Sequence, residues 1–242
     1  MSDLNCISSS TCIVKFADDV TLSIPLYYSG NNVISEIENN FKWSDSVGLK
    51  LNFTKCQYLL ISSSKNCIPV HIPNFTLTTG MKLLRILFSN DGKWDCHVKH
   101  ISNIVYKRAY ALRVLKTFLT PFNLINVYNA LVLSLLEYCS PVFAGLNIKN
   151  CNSLNSIQRR FHNIICHFNC NCDLFPNLND RRNNAATKLY IQAFNDCTHL
   201  LHNIIPVRKT FFIQPYSRTE RYKASFILYT TEYVNKHCIK RT

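Results

Sequence analysis

The chain has 242 residues, an apolar fraction of 47% and 12% aromatics, enough to bury a core and too apolar for a disordered polymer. Only 5 glycines occur, with neither GxGxxG nor GxxxxGK[ST], so the two commonest phosphate-binding loops are excluded. The net charge of +13 is uneven: residues 1–80 hold 5 basic and 6 acidic side chains, and residues 81–242 hold 22 and 8.

A positive field confined to one part of a chain attracts polyanions, nucleic acid foremost; a solvated basic surface is the plainer alternative. The amino terminus, MSDLNCISSS, has neither the basic nor the apolar region of a signal peptide. The most apolar stretch, residues 130–146, contains Glu137 and Pro141 and is too short to span a bilayer. The expectation is an intracellular protein, cytoplasmic or nuclear, without membrane contact and with its 12 cysteines reduced.

In chain order, TCIVKF (11–16) and VTLSIPL (20–26) read as two strands of a hairpin with Ala17, Asp18 and Asp19 at its tip. Residues 31–48 read as a helix from the spacing of Val33, Ile34, Ile37, Phe41 and Val47, capped by Asn31 or Asn32 and closed by Gly48. Residues 49–62 give β-type runs around Asn52 to Lys55, and VHIPNFTLT (70–78) and MKLLRILFS (81–89) read as two further short strands. Together these predict a small, hairpin-connected antiparallel sheet with one helix, in an α+β chain. From Trp94 helical spacing dominates. Ile101, Ile104, Val105, Leu112 and Leu115 form one stripe. Residues 121–139 begin with Pro at a helix start and are apolar nearly all round, predicting a buried central helix. Residues 151–168 place Leu154, Ile157, Phe161, Ile164 and Ile165 on one face, and a fourth helical stretch runs to just before Pro206. Residues 206–242 read as a basic, aromatic tail without period. His162, Cys166, His167, Cys170 and Cys172 cluster in sequence, but CxC without a second CxxC is off the zinc pattern, so incidental thiols are favoured over a metal site.

Asp18 and Asp19 are the only adjacent acids in the chain. Turn chemistry alone explains such a pair. Hard carboxylate oxygens also suit Mg²⁺, which takes one or two carboxylates plus substrate phosphates.

The strand-flanked FADD (16–19) resembles the YADD hairpin of reverse transcriptases. Further segments are similar, in the same order, to blocks of non-LTR retrotransposon (LINE) enzymes of the jockey and CR1-like type: LNFTKCQYLLIS, KLLRILFSNDGKWDCHVKHI, LLEYCSPVFAG, LNSIQRRFHNII and RTERYKASF. The resemblance covers residues 11 to about 230. It implies the C-terminal part of an RNA-directed DNA polymerase: a palm with the FADD hairpin at 1–90, a helical thumb and extension at 91–205, and a basic tail at 206–242.

The resemblance also implies roles. Asp18 and Asp19 are metal-binding, catalytic carboxylates for Mg²⁺, and Lys55 stands where a general acid would protonate pyrophosphate. Phe16 replaces the usual Tyr near the primer end, and residues 82–89, with Lys82, form the primer-gripping hairpin. Lys99, Lys107, Arg113, Arg159 and Arg160 would contact the phosphates of an RNA template and DNA primer. His97 matches a family histidine and reads as packed or capping. Two departures stand out: Arg85 occupies a position where the family has Gly, and only Asp3 precedes Asp18, where a third metal-binding Asp belongs on a separate strand. The expectation is therefore a truncated polymerase that is inactive alone, with supply of a missing half in trans left open. A residual, non-specific nucleic-acid binding module without catalysis is the alternative.

Overall fold

The computed structural model describes residues 4–26, 31–62, 70–166, 175, 177–208 and 211–237. These residues form a mixed α+β protein whose sheets have two strands each. The chain divides into two compact units, Met1–Met81 and Lys82–Thr242, so the change of character falls nine residues before position 90.

In the first unit β1 (Cys12–Phe16) and β2 (Asp19–Ser23) pair antiparallel, from Cys12 opposite Ser23 to Phe16 opposite Asp19. The strand alternation puts Ile13, Lys15, Val20 and Leu22 on one face. The Lys15 ammonium lies 5.1 Å from the Trp43 ring centroid on helix α1 (Asn31–Ser46). Val33, Ile37 and Ile72 are buried together, with Leu22, Ile24, Phe41, Tyr58 and Phe75 packed against them. Ile34, expected in the apolar stripe, is instead 42% exposed. The buried face of α1 turns toward Glu36, whose carboxylate accepts the Ile7 and Ser8 backbone N–H groups at 3.1 and 2.7 Å. Gly48, at φ +70°, closes the helix in a conformation that strains any residue with a Cβ.

Among the described residues the expected single antiparallel sheet does not form; the strands pair two by two. Asn52 folds residues 53–55 into a 3₁₀ turn, accepting hydrogen bonds from Thr54 N and Oγ1 at 3.1 and 2.6 Å, so the strand there is only β3 (Gln57–Leu59). β3 pairs parallel with β4 (Thr76–Thr78), Gln57 opposite Thr76. A parallel pair needs a crossover, so this connection is not a hairpin.

The strand β5 (Gly80–Leu83) leads into the second unit and pairs with β6 (Ile86–Ser89). MKLLRILFS is thus a hairpin, not one strand, because Leu84 (φ 44°) and Arg85 (φ 70°) reverse the chain. Helix α2 (Asp95–Leu115) follows, then α3 (Pro121–Tyr128), a π turn (Asn129–Leu133) and α4 (Ser134–Glu137). Thr120 caps α3 through its hydroxyl, and Pro121 stands where no N–H is needed. The stretch 121–137 is not buried all round. Leu124, Tyr128, Val132 and Leu136 form one buried row at i+4 spacing, while Phe122 and Leu131 are exposed. In an ideal helix such a row drifts about 40° per step. The extra residue of the π turn absorbs that drift, and Arg108 donates to the Leu131 carbonyl at this turn.

Helix α5 (Ile148–Ile165), capped by Asn147, packs Leu154, Ile157, Phe161, Ile164 and Ile165 into the same core. Helix α6 (Leu178–Asn195) stops nine residues short of Ile204. Asp196 accepts Thr198 N and Oγ1 at 2.9 and 2.6 Å, and this local turn competes with the helix. Beyond it lie the antiparallel pair β7 (Val207–Arg208) and β8 (Phe211–Phe212), α7 (Glu220–Lys223) and α8 (Phe226–His237). The segment expected as a tail is therefore folded. Helix α8 buries Leu228, Thr230, Thr231 and Val234, and Tyr190 and Thr231 share a 2.7 Å hydrogen bond. The two threonines hide the apolar face of this helix from a hydropathy pattern. No helix among the described residues is long and apolar enough to cross a membrane.

Candidate carboxylate hairpin and basic helical face

The β1–β2 register leaves a two-residue turn, Ala17 and Asp18. Ala17 takes φ 52°, a conformation that glycine adopts without strain. Asp18 sits at the tip and Asp19 opens β2, both exposed. Phe16, directly opposite Asp19, is 60% exposed. The pair offers hard oxygen donors of the kind Mg²⁺ takes. Glu36, a buried carboxylate of this unit, is committed to backbone N–H groups. Burial works to raise its pKa, but hydrogen bonds from Ser8, Ile7 and Thr11 outweigh that and hold it below the usual carboxylate range. No group of three His, Cys, Asp or Glu is gathered for a metal among the described residues. Asp18 and Asp19 therefore suit the ion chemically, but their unit gathers no third acidic ligand beside them among those residues. Lys55 ends the Asn52-capped 3₁₀ turn with an exposed side chain. His162 packs its ring 5.3 Å from that of Phe175 and Cys166 is buried; His167, Cys170 and Cys172 lie outside the described residues.

In the second unit the quoted blocks meet one another. The Tyr138 hydroxyl donates to the Leu84 carbonyl at 3.0 Å, holding the strained β5–β6 turn on which Arg85 stands. Lys82, on β5, is exposed. Glu137 forms a forked ion pair with Arg181, whose Nη2 lies 2.8 Å from Oε2. The Arg221 guanidinium reaches the Asp91 carbonyl at 3.2 Å across 130 residues of sequence. Asp91 is held below the usual carboxylate range first by the Ser89 hydroxyl, at 2.5 Å, and then by the Lys93 N–H. A Cβ on Gly145 would stand 2.3 Å from the Ala224 carbonyl oxygen, so only glycine permits this approach.

His97 is a packed histidine. Only 2% exposed, it accepts the Leu87 N–H on Nδ1 at 3.2 Å, with its ring 5.3 Å from that of Phe143 and 6.0 Å from that of Trp94. The acceptor role of Nδ1 assigns the proton of the neutral ring to Nε2. Burial, with a smaller contribution from His100, lowers its pKa to about 4.

Lys99, Lys107, Arg113, Arg159 and Arg160 are all exposed. On α2 the core takes Val98, Ile101, Val105, Ala109 and Leu112. A flanking exposed stripe, about 110° round the helix from the centre of the buried one and at spacings of 7, 4 and 3, carries Lys99, Tyr106, Tyr110 and Arg113. Arg160, on α5, holds its guanidinium 5.3 Å from the Tyr106 ring centroid, and Tyr110 is 73% exposed. Charge alone does not single out these two tyrosines. Their i, i+4 spacing in line with the exposed cations Lys99 and Arg113 is the signal that does. From Cys96 to Leu136 the sequence contains no acidic residue. A cavity of about 390 Å³ lies elsewhere, at Gly145, Lys223, Tyr229 and Lys236, and holds none of the predicted site residues.

No protein-family model matches the chain, and neither a curated protein nor a solved structure matches it.

Proposed function

We propose that the chain is the palm-and-thumb part of an RNA-directed DNA polymerase of the non-LTR retrotransposon type, and that by itself it holds nucleic acid without extending a primer. The FADD hairpin carries this proposal: its register puts Asp18 at the tip and Asp19 beside it, with both carboxylates and the Phe16 ring open to a ligand. In this role the two aspartates bind Mg²⁺, which when bound would neutralise phosphate charge at the primer end. Phe16 packs against the primer, and in the same role Lys55, exposed on its turn, would be the general acid for the leaving pyrophosphate. Lys82 and the helical cations contact the phosphates of template and primer. Two carboxylates with no third acidic ligand gathered beside them among the described residues leave the metal site incomplete, which is why the chain alone is assigned no polymerase activity.

The test is primer extension on a primed RNA template with dNTPs and Mg²⁺. The expected result is no extension. Extension abolished by Asp18→Asn would establish a self-sufficient polymerase and overturn the inactive assignment. A second function, residual non-specific nucleic-acid binding without catalysis, is favoured by the basic face of α2, which carries no acid beyond Asp95. It shares the expectation of salt-dependent binding, lost steeply between low and physiological salt. It differs in predicting that a polymerase lacking its own FADD hairpin regains no activity when this chain is added in trans.

A further inference from the structure

We infer that the exposed stripe of α2 is a stacking platform for unpaired bases, so that the second unit binds single-stranded nucleic acid in preference to duplex. This deepens the proposed function by naming the ligand at the basic face. Tyr106 and Tyr110 lie one turn apart between Lys99 and Arg113, and the Arg160 guanidinium sits over the Tyr106 ring. A ring flanked by cations matches the two halves of a nucleotide: the base stacks on the ring, and the phosphate meets the guanidinium or ammonium.

Spacing selects the unpaired strand. Four residues of helix advance about 6 Å, whereas bases in a duplex strand repeat at about 3.4 Å with their faces already covered. Only splayed, unstacked bases offer a free face to both rings. The same stripe does not suit a membrane surface. Val98, Ile101, Val105, Ala109 and Leu112 are committed to the core, and Val114 is exposed only in the last turn, so the stripe itself is polar and aromatic with no broad apolar face to insert.

The test is fluorescence anisotropy of the full chain with a labelled oligo(dT), a duplex of equal length and phosphatidylserine vesicles. Tyr106→Leu/Tyr110→Leu is expected to weaken oligo(dT) binding about 30-fold or more, the loss of two base stacks, and duplex binding less than about 3-fold. Tyr106→Phe/Tyr110→Phe keeps the rings and is expected to retain binding. Both positions are solvent-accessible, and circular dichroism verifies the fold of each variant. Equal losses on strand and duplex, no loss on either, or tyrosine-dependent vesicle binding in place of oligonucleotide binding would each overturn the platform. Lys99→Gln/Arg113→Gln separates the two levels. If it weakens strand and duplex alike while the tyrosine pair has no effect, the platform fails and nucleic-acid binding stands. If the wild-type chain binds neither nucleic acid at low salt, both fail.

Discussion

The first unit gathers its apolar cluster around three buried side chains, Val33, Ile37 and Ile72. The second buries a continuous cluster from Val98 to Leu178 on helices α2 to α6, and another around Tyr190 and Val234. The difference follows from the elements. A two-stranded ribbon has one face to bury and is marginal in water. Amphipathic helices meeting on several sides interlock their stripes. The adjacent carboxylates of FADD therefore sit on the sparsely packed unit, while the cations of α2 and α5 stand on the densely packed one.

The largest expected effects separate the two cores. Phe161→Ala should cost the second unit about 3–5 kcal/mol, and Ile37→Ala about 2–5 kcal/mol from a core with far less to lose. Hydrogen exchange read by peptide should show Ile37→Ala releasing the α1 amides while residues 98–112 stay protected. Loss of protection in both units together would break the comparison.

Acid should divide the units next. His97 titrates at about 4 when folded and near 6.5 when unfolded, so the unfolded state takes up the proton first as pH falls. The second unit should lose about 3 kcal/mol between pH 6.5 and 4, read from urea midpoints, and His97→Gln should flatten that slope. Glu36 has the opposite relation to its partners. Its folded pKa lies below the unfolded value of about 4.3, so its contribution is complete above that value and fades only as pH falls through the lower, folded one. A first unit that weakens at higher pH than the second would contradict both assignments.

Gly145→Ala forces a Cβ against the Ala224 backbone. It should cost about 1–3 kcal/mol in thermal melts of the second unit and leave α1 protection unchanged. The smallest effect has the opposite sign. Arg85→Gly relieves a left-handed φ of 70° and should stabilise the β5–β6 hairpin by about 1 kcal/mol. A lower melting temperature would mean that the Arg85 side chain contributes more than its backbone conformation costs.

Much of the fold is legible in the sequence where one physical cause dominates. The α1 and α2 periods, Gly48 after α1, Pro121 at the start of α3 and the FADD turn each rest on local chemistry. Legibility fails where a distant partner decides. Glu36 displaces Ile34 from the buried face because the loop at Ile7 and Ser8 supplies its hydrogen bonds. Helix α8 is invisible as a core element because Thr230 and Thr231 read as polar until Tyr190 and α6 cover them. At the candidate sites the cations are visible as charge, but Tyr106 and Tyr110 gain meaning only once the other face of α2 is buried.

The sequence by itself determined the uneven charge, the order of the motif blocks and the local turns, because each depends on side chains near one another along the chain. Tertiary structure alone decided that β3 and β4 run parallel, that the supposed tail packs on α6, that His97 is neutral and committed to Leu87, and which face of α2 is left to solvent. Those outcomes rest on burial and on hydrogen-bond partners tens of residues away, and neither exists until the chain has closed on itself.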